Sequence, residues 1–256
     1  MILRRLSQSL KEQNWMAITV EFVLLVVGVF LGIQVANWNE TQQDYKREAE
    51  FIVRIERDFQ KIDARLTDNI SRWEGKTTAT LRVLADLEAF QKTGRWSRTK
   101  AEVLADLNDT FNYRIPAPRS ATYIELLSAG QLGLIRNTNL RDALLEYDAQ
   151  VGYSMTGFDV LVNRVDPFMA MVVAHLKYDQ TKTNSSMPTE ANSIDPVWSD
   201  VDLEGLASDP EVKTAMKMYA AASRNQLALA KLQRNKAKAS IALLNPEATS
   251  IERKQP

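Results

Sequence analysis

Residues 15–38 read WMAITVEFVLLVVGVFLGIQVANW, and this stretch decides the architecture of the chain. Its centre, from Phe22 to Ile33, is an unbroken run of apolar residues. A helix of this length reaches about 36 Å, which is enough to cross a bilayer. Trp15 and Trp38 stand at the two ends, where amphipathic rings prefer the headgroup region. The stretch therefore predicts a transmembrane helix.

Two other interpretations of residues 15–38 are weaker. A secretory signal peptide would need a small-x-small cleavage site, but Gln34 stands two positions before Ala36, where a small residue is required. A buried core helix would carry a polar stripe across its middle, and this run carries none. A transmembrane helix therefore accounts best for the stretch.

The charges on either side of the span bear on its orientation. Basic residues precede it and also follow it, so a count of positive charge alone does not decide. The N-terminal tail, residues 1–14, contains one acid, Glu12, and long C-terminal domains are translocated largely regardless of their charge. We expect the N-terminal tail in the cytoplasm and the C-terminal domain in the periplasm or outside the cell.

Small residues recur on one face of the predicted span. Gly28, Gly32 and Ala36 are spaced by four, so a second helix backbone can approach this face closely. Glu21, seven residues before Gly28, lies on nearly the same face. We expect this face to pair with a second copy of the chain or with a partner membrane protein. The alternative is that glycine is simply common in membrane helices.

Two stretches, residues 21–40 (EFVLLVVGVFLGIQVANWNE) and residues 122–148 (TYIELLSAGQLGLIRNTNLRDALLEYD), resemble a bacterial family of small single-pass membrane proteins of unknown function. The family's span has an early Glu, a central Gly and a closing Gln-x-Asn-Asn-Trp-Asn-Glu run, from which Ala36 departs. The resemblance implies an anchor in the bacterial inner membrane with a helical domain beyond it, and it brings no established activity. The matching residues of the first stretch are Glu21, Gly28, Gln34, Asn37, Trp38, Asn39 and Glu40.

Composition excludes several classes of chemistry. Basic and acidic residues both number 32, so the formal net charge is zero and a nucleic-acid partner is disfavoured. Without cysteine the chain has no disulfide, thiol nucleophile or thiolate metal site. His175 is the only histidine, which excludes multi-histidine metal sites, and no G-x-S-x-G motif accompanies it.

Residues 39–245 predict an all-α soluble domain. Apolar residues recur at steps of three and four from Ile52 to Trp73, which predicts a long amphipathic helix that continues the span. Its apolar seam can face a second copy in a coiled coil or other helices of the same chain in a bundle. We favour the bundle, because three heptads are marginal for a coiled coil.

Local signals mark the other elements of this domain. Gly and Pro separate the helices, and Ser, Thr, Asn or Asp opens each of them. Residues 177–197 are polar and predict a long exposed loop, residues 246–256 predict a flexible tail, and no segment alternates like a sheet. Further helices are expected from Leu81 to Phe90, ended by Gly94; from Ser97 or Thr99 to Leu107; from Ser120 to Gly130; and from Asp209 to Leu244. Another helix is expected to begin after Asn137 or Thr138. Gly152 and Gly157 are expected to kink or divide it, and Pro167 to mark a boundary beyond them.

One acidic stretch has the spacing of a calcium loop. Residues 200–211, DVDLEGLASDPE, place Asp200, Asp202, Glu204 and Glu211 at positions 1, 3, 5 and 12 of such a loop. Calcium is therefore a possible cofactor. The other interpretation is a short helix over residues 199–207 with acids at its N-terminus, where the macrodipole favours them.

A second set of residues could line a pocket for an anionic ligand within the stretch that resembles the family. The same side chains could instead cap helices and form salt bridges between them. We expect a binding, sensing or scaffolding module; the alternative, a membrane-tethered hydrolase, needs two close carboxylates in a cleft, one of them with a raised pKa. The set is Arg119, Tyr123, Glu125, Arg136, Asn137 and Arg141.

Overall fold

A computed structural model of the protein describes residues 15–111, 114–183 and 196–244. The described residues are mostly helical, as the sequence predicts. By its internal contacts the chain divides into two compact units, Met1–Phe51 and Ile52–Pro256. The predicted tails, residues 1–14 and 246–256, lie outside the described residues.

Helix α1, Trp15–Thr93, provides all the described residues of the first unit. From Thr19 onward, the most apolar stretch of 18 residues in this helix has a mean hydropathy of 2.2. None of that stretch is buried. Large apolar side chains from Val20 to Val35 are exposed over 45% to 66% of their surface. The helix is therefore long and apolar enough to span a membrane.

In the second unit, α1 has a row of buried residues, which we call its seam, spaced alternately four and three residues apart. A strict seven-residue repeat of this kind keeps the seam turned toward the same neighbours along the whole helix. The seam is buried within the chain, which supports the predicted bundle. The sequence predicts two helices here, but the chain forms one, because no residue before Gly94, with a φ of 67°, breaks it. The seam residues are Ile55, Phe59, Ile62, Leu66, Asn69, Trp73, Lys76, Thr80, Val83 and Leu87.

The next helices begin where the sequence places their caps. Thr99 forms a capping box with Glu102, and the side chains of Ser120 and Asn137 each accept a backbone N–H. Gly130, with a φ of 66°, follows the third helix. The elements are α2, Lys100–Thr110; α3, Ala121–Ser128; a 3₁₀ turn, Leu132–Leu134; and α4, Thr138–Val160.

Helix α4 continues through Gly152 and Gly157, so the expected break at these glycines is wrong. A π-helical turn, Leu161–Val165, follows it and leads into α5, Asp166–Val173. Pro167 lies in the first turn of α5, where a missing backbone N–H costs little. The predicted boundary at Pro167 is thus a widened turn between two successive helices.

The expected exposed loop at residues 177–197 is wrong in its described parts. Strand β1, Leu176–Thr183, pairs antiparallel with β2, Pro196–Val201, and Leu176 lies opposite Val201. The register shifts after Lys177, so the strands lack the regular alternation that would have revealed them. Trp198 and Val201 are buried, and this burial holds the hairpin on the helical core.

Two helices complete the described chain, α6, Leu203–Ser208, and α7, Pro210–Leu244. Helix α7 packs along α4 and α5. Leu227, Arg234 and Ile241, which a search for helical periodicity also places on its inner face, are only half-buried. The buried seam follows a strict seven-residue repeat and comprises Val212, Met216, Tyr219, Ser223, Gln226, Ala230, Gln233, Ala237, Ser240 and Leu244.

Candidate functional site

The seams of α1 and α7 carry polar residues in the middle of the bundle. Seam positions normally hold apolar side chains, because a buried polar group is costly unless it is hydrogen-bonded. Asn69 and Thr80 on α1 are at most 4% exposed, and so are Gln226 and Gln233 on α7. We refer to these residues, together with Lys76 and Ser223, as the polar core.

Lys76 is the charged member of the polar core. Only 3% of it is exposed, and its ammonium lies 4.7 Å from the ring centre of Trp73 and 5.2 Å from that of Tyr219. The negative faces of aromatic rings attract a cation, most strongly where water is excluded. Two rings, one from each seam, therefore stabilise this ammonium within the bundle.

The polar core holds an extended segment of backbone, residues 115–118. Asn69 Nδ2 donates to the carbonyl of Ile115 at 3.0 Å, and Gln233 Nε2 donates to the carbonyl of Ala117 at 2.9 Å. The Tyr147 hydroxyl donates to the carbonyl of Pro118 at 2.7 Å. These side chains supply hydrogen bonds to an irregular segment in which Ala117 is fully buried while Ile115 and Pro118 are exposed.

The prolines of this segment fit the same arrangement. Pro116 and Pro118 have no backbone N–H, so neither adds a donor that would need a partner beside the buried Ala117. Burial raises the pKa of the Tyr147 hydroxyl, which keeps the phenol protonated and able to donate. Gln233 Nε2 also lies 3.2 Å from this hydroxyl, so α4 and α7 share the contact.

A small cavity adjoins the polar core. Its volume of about 10 Å³ admits about one water molecule. The Gln233 Oε1 atom is buried and has no hydrogen-bond partner among the described residues, so a water there would find an acceptor. The cavity is too small for an organic ligand. Its lining residues are Leu66, Asn69, Trp73, Pro116, Ser154, Gln226, Leu229, Ala230 and Gln233.

Two of the six predicted ligand-binding residues come together at the start of α3. Arg119 Nε lies 3.0 Å from Asp148 Oδ1. Tyr123 is only 2% exposed, and burial, followed by the charge of Asp148, raises the pKa of its hydroxyl. The Tyr123 hydroxyl has no hydrogen-bond partner in the part of the chain that the structure describes. Arg119, Tyr123 and Asp148 therefore form one small polar cluster.

Two of the other four predicted ligand-binding residues have partners elsewhere in the chain. Glu125 forms a bidentate ion pair with Arg54 of α1, and this pairing lowers the pKa of the Glu125 carboxyl. Asn137 Oδ1 accepts from the N–H of Leu140 and caps α4. Arg136 is exposed and Arg141 is half-buried. Arg119 and Glu125 thus form salt bridges to other helices, and Asn137 caps a helix.

The four carboxylates of the calcium spacing are distributed over β2, α6 and α7. Asp200 of β2 pairs with Lys100 at 2.5 Å and Lys177 at 3.1 Å, and these two lysines lower its pKa to about 2. Asp202 caps α6 through the N–H of Gly205, while Glu204 and Glu211 lie in the first turns of α6 and α7. Nowhere in residues 15–111, 114–183 and 196–244 do three or more His, Asp or Glu side chains form a group that could hold a metal ion.

His175 contacts the helix start that the sequence predicts at residues 209–211. Its Nε2 lies 3.2 Å from Asp209 Oδ2, while Asp209 Oδ1 accepts from the N–H of Glu211 at 2.8 Å. The Glu211 N–H, followed by His175, lowers the pKa of the Asp209 carboxyl. The single histidine therefore orients a capping carboxylate.

One acid pair has the pKa pattern that the hydrolase alternative requires. Burial, with the charge of Asp106, raises the pKa of Asp109. Burial opposes ionisation of Asp106 too, but hydrogen bonds from Arg82 and Arg98 outweigh it and lower the Asp106 pKa. Arg98 also binds Asp86, so these groups form an ion-pair network that joins α1 to α2.

The model of the family of unknown function DUF6090 matches residues 21–166, more than half of the chain. The chain belongs to the DUF6090 family. No curated protein and no solved structure matches it.

The DUF6090 match includes the buried face of α1, the extended segment 115–118 and all of α4. It ends at Asp166, so α7 lies beyond it, although Gln233 belongs to the polar core and Tyr219 contacts Lys76 of that core. The calcium-spaced acids and His175 also lie beyond the match. The polar core is thus shared between the DUF6090 segment and the rest of this chain.

Sequence reasoning missed the polar core. Asn69, Lys76, Gln226 and Gln233 are polar, so a search for apolar periodicity assigns them to the surface. The available signal was the seven-residue spacing itself: Asn69 and Lys76 are seven apart, and so are Gln226 and Gln233.

Proposed function

We propose that the protein is a membrane-anchored binding module that acts through surface contacts, either with a second copy or with a partner membrane protein. The observation that carries this proposal is the uncovered apolar part of α1, whose most apolar window has no buried residue. An exposed apolar surface of this extent is typical of a helix that is solvated by lipid. The cavity at the polar core admits only a water, which favours recognition at the surface.

The glycine face of the span, defined by Glu21, Gly28, Gly32 and Ala36, is the proposed contact between spans. Among the described residues, no heavy atom lies within 4 Å of a Cβ placed at Gly28 or at Gly32, apart from the neighbouring backbone of the helix itself. Small residues at this spacing let two helix backbones pack closely in a membrane. Leucines at these positions would therefore obstruct a second helix without obstructing this chain.

Light scattering of the intact protein in mild detergent tests this proposal. We expect a wild-type dimer and a monomeric Gly28→Leu, Gly32→Leu variant, because two leucines would separate the paired helices. The matched control is Val26→Leu, Phe30→Leu, which changes the opposite side of the same helix and should leave the dimer intact. A wild-type monomer, or an oligomer that the glycine substitutions leave unchanged, would contradict pairing through this face.

The proposal includes an orientation. The N-terminal tail lies in the cytoplasm, and the second unit lies outside it, anchored in the inner membrane of a bacterium. The tail's single acid, Glu12, supports this orientation, as does the ease with which long C-terminal domains are translocated. A binding module in this position has its contact surfaces on the side of the membrane away from the cytoplasm.

A further inference from the structure

Helix α7 is strongly basic in a chain whose formal net charge is zero. Between Pro210 and Leu244 it carries seven Lys or Arg residues and a single acid, Glu211, so its formal charge is +6. Some of these cations pair with neighbouring helices: Arg234 Nε lies 2.8 Å from Asp63 and Lys236 Nζ lies 2.7 Å from Glu146. Four of the basic residues also form a regular row along the helix.

Four basic residues of α7 stand seven apart, at Lys217, Arg224, Lys231 and Lys238, and all four are exposed. Because the buried seam of α7 also repeats every seven residues, each of these side chains has the same direction relative to the bundle. The row places one cation every ~10.5 Å over ~32 Å of helix. We call it the basic row.

The members of the basic row differ in their partners within the chain. Lys231 lies 2.7 Å from Glu74 of α1, and Lys217 lies 4.0 Å from Glu88. Arg224 and Lys238 form no ion pair within the described residues. An ammonium has three donors, so an existing pair still leaves donors for a second carboxylate. The whole row can therefore bind anions.

Beside the basic row, several exposed side chains of α7 are small or apolar. Ala221 and Ala228 are exposed one turn after Lys217 and Arg224. Met218 and Leu232 are exposed over 36% and 51% of their surface. Small residues allow a second helix to approach closely, and the exposed Met and Leu give it apolar contacts.

We propose that this face of α7 binds a helix of a partner protein that carries an acidic residue at every seventh position. Such a helix repeats its carboxylates at the same spacing as the basic row, and its small or apolar residues can pack on the alanines. This inference names a contact surface for the proposed binding module. It does not depend on pairing of the spans.

The favoured occupant follows from the pattern. In this chain only Asp195, Asp202 and Asp209 form a series of three acids at steps of seven, and Asp202 and Asp209 cap helices rather than lie within one, so a second copy offers no matching helix. An anionic bilayer has no such repeat, and helices that bind bilayers usually insert bulky apolar residues rather than alanines.

The test uses the full chain in mild detergent and a fluorescent designed helix of about four heptads with Glu at every seventh position. Fluorescence anisotropy measures its dissociation constant. The control peptide has Gln in place of Glu. The test variant is Arg224→Glu, Lys238→Glu, which changes the two cations without an ion pair. The control variant, Lys92→Glu, Arg95→Glu, reverses two exposed charges at the end of α1.

We expect the Glu peptide to bind, the Gln peptide to bind at least about tenfold more weakly, and binding to weaken with salt. The Arg224→Glu, Lys238→Glu variant should bind the Glu peptide at least about tenfold more weakly, and the control variant should bind it as the wild type does. Equal binding of the two peptides, or unchanged binding by the test variant, would overturn the proposal. The proposal would also be overturned if the test variant bound phosphatidylglycerol vesicles more weakly than the wild type but bound the Glu peptide equally well.

Discussion

The carboxylate of Asp58, on α1, accepts a hydrogen bond from the backbone N–H of Thr122 at 2.9 Å, so one helix supplies part of the N-terminal cap of another. The same oxygen accepts from the Ser120 hydroxyl, which itself caps α3. The positive end of a helix dipole favours a carboxylate at this position. Asp58 therefore fastens α3 to α1.

The Asp58 contact predicts a pH-dependent stability. Burial tends to raise the pKa of Asp58, but the hydrogen bonds from Thr122 and Ser120 outweigh burial and lower it below 3.8. Asp58→Ala should reduce the free energy of unfolding by about 1–2 kcal/mol at pH 7. Because the folded-state pKa is depressed, this contribution is present above pH 3.8 and is lost as pH falls through the folded-state pKa.

Thermal unfolding followed by circular dichroism at several pH values checks this prediction. The difference in melting temperature between wild type and Asp58→Ala should become smaller below about pH 4. Asp68→Ala is the control, because Asp68 forms an exposed pair with Arg72 on the same helix and should matter by less than about 0.5 kcal/mol. A gap of equal size at pH 7 and in acid would refute the role of the ionised carboxylate.

Gln233→Leu should destabilise the fold by about 1–3 kcal/mol. Leucine cannot donate to the buried carbonyl of Ala117, so that oxygen would lose its hydrogen bond. Asn235→Leu, on the exposed side of the same helix, should change stability by less than about 0.5 kcal/mol.

Denaturant titration measures both α7 variants. A double-mutant cycle with Tyr147→Phe tests the shared contact, since Gln233 and the Tyr147 hydroxyl bind adjacent carbonyls and each other. Additive effects in this cycle would show that the two side chains act separately.

Two glycine substitutions should have opposite effects. A Cβ at Gly152 meets no described atom within 4 Å, so Gly152→Ala should stabilise α4 by about 0.5–1 kcal/mol. A Cβ at Gly205 would lie 2.5 Å from Asp202 Oδ2 and 2.8 Å from His175 Nδ1. Gly205→Ala should therefore displace the Asp202 cap and cost about 1 kcal/mol or more. Melting temperatures of the two variants that move in the same direction would count against this geometry.

The natural absence of cysteine makes the orientation measurable with single substitutions. Ser71→Cys, at an exposed position of α1, should react with a membrane-impermeant maleimide in intact spheroplasts. Ser7→Cys, in the N-terminal tail, should react only after the membrane is permeabilised. The reverse labelling pattern would establish the opposite orientation.

The helix boundaries follow from the sequence because caps are local. Thr99, Ser120 and Asn137 each bond to a backbone N–H three residues ahead, so a short window contains the whole signal. The hairpin was missed for the opposite reason. Its pairing partners are far apart in the sequence, and the shift after Lys177 removes the alternation that marks a strand.

The candidate site was less predictable than the fold. The sequence singled out Arg119 and Glu125, but their partners, Asp148 and Arg54, come from other helices. Arg54 and Glu125 are 71 residues apart, and no local pattern connects them. Calcium binding by residues 200–211 remains a prediction, although Asp200 is already paired with two lysines.

The polar core also bears on how the bundle avoids misalignment. When a seam repeats every seven residues, one helix can shift along its neighbour by one heptad, ~10.5 Å, because apolar positions then meet apolar positions again. Asn69 and Gln233 oppose such a shift, since each must reach one particular carbonyl, of Ile115 and of Ala117. Replacing both with leucine would make these heptads more like their neighbours. Polar residues that look misplaced in the interior thus act as alignment marks.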